Sequence, residues 1–61
     1  MPPSSREMIK LIERDGWVQV KAKGGHRQFT HPVKPGRVTV PHPKKSLPAG
    51  TERSIRRQAG L

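Results

Sequence analysis

Three histidines in this 61-residue sequence are the side chains best suited to proton chemistry. His26 lies in the stretch KAKGGHRQFTHP, directly after Gly24 and Gly25 and between basic residues; His31 lies near the end of the same stretch, and His42 sits between Pro41 and Pro43. An unperturbed imidazole titrates at about pH 6.5, so it can give or take a proton near neutrality. Thirteen Lys and Arg stand against four Asp and Glu, a formal charge of +9, and such an excess points to a polyanionic partner. RNA can be cleaved without a metal when its own 2′-hydroxyl attacks the phosphate. That requires a base for the hydroxyl, an acid for the leaving oxygen and positive charge for the phosphate. His26 is the candidate for the proton work, while Lys21, Lys23 and Arg27, with the Gly24-Gly25 backbone between them, are candidates for holding the phosphate. An exposed hairpin residue is the plainer use of His26, and the residues alone leave both readings open.

A metal centre is not expected. The spacing of His26, His31 and His42 matches no standard zinc pattern, there is no cysteine, and the acidic residues gather toward the first helix. Nor does any motif call for a cofactor. His31 falls on the opposite pleat from His26 and His42 lies in a Pro-bounded loop, so local sequence places no second proton-transfer group beside His26. Trp17 is expected in the core rather than stacked on a base, because a core short of large residues needs it there.

The elements that must hold these residues follow from periodicity. Ser4 and Ser5 are good caps, Ser4 precedes Glu7 at capping-box spacing, and Met8, Ile9, Leu11 and Ile12 form an apolar stripe, so a helix is predicted that stops at Gly16. The run Trp17 to Lys21 reads as a strand, Lys23-Gly24-Gly25 as a turn and His26 to Thr30 as the returning strand. A third strand is predicted over Arg37 to Val40, with Val38 and Val40 on one face and Arg37 and Thr39 on the other. PHPKKSLPAG reads as a connection, and a second helix is predicted from Pro48 to Ala59, with Ile55 and Ala59 facing inward.

The expected fold class is therefore α+β: a single domain spanning residues 1–61, built as a two-layer α-β-β-β-α sandwich with two helices on one face of a three-stranded antiparallel sheet. Phe29 should face the helices, which puts His26, Gln28 and Thr30 on the open face, with a bulge near the glycines able to shift that register by one. At this length one domain is the ceiling. The N-terminal residues contain no apolar run of signal-peptide or membrane-spanning length, so no membrane association is expected, and the absence of cysteine fits the cytoplasm. Lys44, Lys45, Arg53, Arg56 and Arg57 form a second basic region, suited to phosphate contacts.

Taken in order, these residues resemble the HicA-type toxins, small messenger-RNA interferases of type II toxin–antitoxin pairs. The resemblance runs through Asp15-Gly16-Trp17, the Gly24-Gly25-His26 turn where the family usually has Gly-Ser-His, Phe29 with His31, Val38 to His42, Leu47 to Ile55, and Gln58 to Leu61. It implies a fold similar to a double-stranded-RNA-binding domain, metal-independent endoribonuclease activity with His26 as the catalytic residue, and a HicB-type antitoxin that neutralises the toxin by covering the active site. Gly25 stands where the family has serine. The alternative is a non-catalytic module that grips duplex RNA by shape. A small DNA-binding or ribosome-associated protein is a weaker third, since no helix-turn-helix pattern is visible.

Overall fold

The computed structural model describes residues 2–61. In chain order the elements are α1 (Ser5–Arg14), β1 (Val18–Lys23), β2 (His26–Thr30), β3 (Val38–Pro41) and α2 (Ala49–Ala59). The start of α1 is fixed by a reciprocal cap: the Glu7 N–H donates to Ser4 Oγ at 3.1 Å and the Ser4 N–H donates to Glu7 Oε1 at 3.0 Å. Its end is set by Gly16, whose φ of +107° turns the chain toward the sheet. A Cβ at that position would lie 2.7 Å from His31 Nε2, so glycine is also what lets His31 approach the helix terminus.

The strands form one antiparallel sheet in the order β1-β2-β3. Lys23 pairs with His26, so the β1–β2 turn is the two residues Gly24 and Gly25. Positive φ occurs at Gly24 and not at Gly25, the pattern of a type II′ hairpin turn. Strand β1 therefore runs two residues further than Trp17 to Lys21 suggested, and it begins after Trp17, which turns into the core. The bulge lies in β1 between Gln19 and Lys21, not at the glycines, so the alternation of β2 is undisturbed.

Both helices cover one face of the sheet, as the α-β-β-β-α order implies. Met8 and Ile12 from α1, Trp17, Phe29 from β2, Val38 and Val40 from β3, and Ile55 and Ala59 from α2 pack into one cluster. Each large apolar side chain so buried contributes about 1.5–3 kcal/mol. Leu47 joins them, although its surroundings read as a connection; it is pinned because its N–H donates to Pro3 O at 2.9 Å. The second helix starts one residue later than expected, with Pro48 as its N-cap, and ends at Gly60 in the left-handed region. Among the described residues no helix is long and apolar enough to cross a membrane.

Candidate functional site

The pleat of β2 sorts the basic and polar residues onto two faces. Arg27 and Phe29 pair with Val40 and Val38 and lie on the helix side, while His26 and Gln28 pair with Pro41 and Thr39 on the open side. On the other flank Lys23 is the direct cross-strand partner of His26, and Lys21 is the partner of Gln28. The open face thus carries two rows across the sheet: Lys23, His26 and Pro41, then Lys21, Gln28 and Thr39. Neighbours within such a row have Cβ atoms about 4.5–5.5 Å apart, which sets Lys23 directly beside His26; Lys21 is diagonal to it at about 7–8 Å, a distance a long side chain can span. His26 is exposed, as are Lys21, Lys23, Gly24 and Gly25.

Arg37, not singled out from the sequence as a site residue, belongs to this face. Its Nη1 donates to Gln28 Oε1 at 2.8 Å, which fixes the amide in the row beside His26 and leaves further guanidinium donors free for an anion. The signal was present in the shared parity of Arg37 and Thr39. Arg27 is adjacent to His26 in sequence but lies on the other pleat, where its Nη1 donates to Gln19 Oε1 at 3.3 Å. The structure brings Lys21 and Lys23 to His26 and holds Arg27 away from it.

The other two histidines are engaged elsewhere. His31 Nδ1 accepts the N–H groups of Val33 and Lys34, both at 3.0 Å, so the ring proton must sit on Nε2, which lies 2.6 Å from Asp15 O and donates to it. The ring also stacks edge-on to Trp17 with centroids 5.2 Å apart. Next to it the Lys34 ammonium pairs with Asp15 Oδ2 and donates to Ala59 O at 3.0 Å, joining the ends of both helices. Lys34 holds the Asp15 carboxyl below its usual value, chiefly through that hydrogen bond.

His42 follows β3, and its N–H donates to Gly25 O at 2.8 Å, which ties it to the turn carrying His26. Its ring faces the helix layer instead, with Nδ1 2.8 Å from Oγ of the buried Ser5. Ser5 Oγ also accepts the Lys44 N–H at 2.9 Å, and the Ser5 N–H donates to Lys44 O at 2.9 Å. Lys44 and Lys45 accordingly border an open cleft of about 440 Å³ at the start of α1, together with Arg6, His42 and Pro43. They form a basic patch separate from the His26 rows. Among the described residues no group of three or more His, Asp or Glu side chains converges in a way that could hold a metal ion.

Residues 5–61 match the family described as the HicA toxin of bacterial toxin–antitoxin. A solved structure described as a toxin–antitoxin complex from Streptococcus pneumoniae contains a chain similar to this one, with a TM-score of 0.81 and 34% sequence identity. That match covers 98% of this chain and 100% of the other. No curated protein matches.

Proposed function

Since the chain belongs to the HicA toxin family, a family of bacterial toxin–antitoxin systems, we propose that this toxin component is a metal-independent endoribonuclease. On this reading it is an mRNA interferase that inhibits translation in the cytoplasm, uses His26 as its catalytic residue, and is neutralised by a HicB-type antitoxin. The observation that carries the reading is the cross-strand row of Lys23 and His26 beside that of Lys21 and Gln28, on the sheet face no helix covers. An RNA phosphate can reach His26 there without any element having to move.

In the reaction His26 takes the proton of the 2′-hydroxyl as that oxygen attacks phosphorus, or returns one to the leaving 5′-oxygen. Lys21 and Lys23 offset the charge that builds on the phosphate, and Arg37 supplies further donors from the far side of Gln28. With His31 and His42 both engaged in the helix layer, His26 performs its proton transfer with solvent as the other partner, and slow turnover is the expected consequence. Gly25 does not weaken the turn. Its φ is not in the left-handed region, and the nearest heavy atom to a Cβ there is His42 O at 3.9 Å, so a serine at this position fits.

The test compares wild type with His26→Ala on a long RNA in the presence of a chelator, followed by end-group analysis. Wild type is expected to leave 2′,3′-cyclic phosphate ends, and the variant to cut about 10²–10⁴-fold more slowly, the usual contribution of a positioned acid or base. Failure of both to cut, with equal and salt-sensitive RNA binding, would make the chain a non-catalytic duplex-RNA-binding module. Equal cutting by both would remove His26 from the chemistry.

A further inference from the structure

The two edges of the sheet are not equivalent. On β3 the Thr39 N–H points away from β2 and donates to Gln58 Oε1 of α2 at 3.0 Å. Pro41, the next residue of the same parity, has no N–H to offer. Both outward donors of β3 are therefore removed, and no further strand can pair there. Strand β1 is different. Lys23 and His26 flank a two-residue turn and so form a hydrogen-bonded pair, which directs the N–H and C=O of the next residue, Ala22, away from β2. Among the described residues no backbone group of β1 is hydrogen-bonded from outside the sheet. All six of its residues are exposed, including Val18 at 59% and Val20 at 52%.

What guards β1 is charge and the bulge rather than the loss of donors. Two copies of this chain pairing β1 to β1 would set Lys21 and Lys23 against their own kind on molecules of charge +9. A strand carrying carboxylates would meet the opposite situation. We propose that β1 is a β-augmentation edge at which the antitoxin adds an acidic strand to this sheet, its carboxylates facing Lys21 and Lys23 and its apolar side chains covering Val18 and Val20. The inference rests on the toxin–antitoxin reading above and names the surface and mode of that contact. Because Lys23 is the cross-strand partner of His26, the added strand occupies the flank of the His26 row and takes up the ammonium groups a phosphate needs.

The deciding experiment takes a purified HicB-type antitoxin as the probe and measures its affinity for wild type, Ala22→Pro and Ala22→Val. Ala22→Pro removes the outward N–H without touching the pairs to β2, as Pro41 does on the other edge. It is expected to weaken binding about tenfold to a hundredfold, from one lost backbone bond and an acceptor left unpaired in the partner strand. Ala22→Val keeps the N–H and is expected to bind as wild type, and both variants are expected to cut RNA. Amide exchange on the wild-type pair gives an independent readout should Ala22→Pro fail to fold: the Ala22 amide is expected to slow in the complex while Thr39 is unchanged. Unaltered affinity of a folded Ala22→Pro, or an Ala22 amide that exchanges equally fast in the complex, would overturn the proposal and leave the toxin–antitoxin reading intact. No binding by wild type would overturn both. Concentration-dependent protection of Ala22 in the free chain would assign the edge to a second copy instead.

Discussion

Ser5 is buried with 1% of its surface exposed, and its hydroxyl serves two groups distant in sequence: it receives the Lys44 N–H and lies against His42 Nδ1. One side chain thus fixes the path of the chain after β3 and the direction in which the His42 ring points. Ser5→Ala removes the acceptor of the part-buried Lys44 N–H bond and the partner of the His42 ring nitrogen at once. A loss of about 1–3 kcal/mol is expected, seen as a lower denaturation midpoint at unchanged m-value. RNA cleavage by the folded fraction should persist, because Ser5 and His42 lie in the helix layer while His26 faces the other way. At the same scale, His31 shows how hydrogen-bond partners select a role: a ring that must accept two amides through Nδ1 is committed to holding the 32–37 loop.

Among the elements, α1 depends most on ionised groups at its ends. Glu7 in the capping box is held below the usual carboxyl value of 4.5, mainly by its hydrogen bonds with Ser4, and Asp15 at the other end is held below 3.8, mainly by Lys34. Both folded-state values lie below the unfolded ones. The stability these groups contribute is therefore fully present above the unfolded values and lost as pH falls through the folded ones. Stability is expected to decline from about pH 4.5 downward, a window set by those values. Glu7→Gln, which retains the reciprocal cap in neutral form, should flatten the upper part of that decline and leave the lower part, due to Asp15, in place. Thermal unfolding followed between pH 2 and 7 checks this, and an identical pH profile for the variant would refute the assignment.

Across the whole molecule, charge is distributed on a thin two-layer body measuring 30 × 24 × 17 Å, so most of the thirteen Lys and Arg side chains reach solvent. On the proposed reading an RNA strand on the open face gains from counterion release, and its affinity is expected to fall linearly with the logarithm of salt concentration. Lys21→Ala and Lys23→Ala are each expected to weaken binding evenly across RNA sequences and to reduce the salt slope by about 0.7–0.9, the value of one phosphate contact. Arg27→Ala is the informative control, since its guanidinium is directed to the helix side, and an undiminished slope is expected. Fluorescence anisotropy over a salt series distinguishes these outcomes; slopes unaffected by Lys21 and Lys23 would move the RNA path off this face.

Local order was legible in the sequence because it depends on nearest neighbours. The capping box, the apolar stripe of α1, the two-glycine turn and the alternation of β2 and β3 place every helix and strand within two residues of the expected bounds, and they put His26 on the open face. The same alternation already separated Arg27 from His26. What no local pattern could show are contacts between residues far apart in the chain: Ser5 with His42, Lys34 with both helix ends, Leu47 in the core, and Gln58 closing the edge of β3. These depend on how the helices dock on the sheet. Periodicity reports which face of an element is apolar, and only the packed fold decides which polar groups then come within hydrogen-bonding distance.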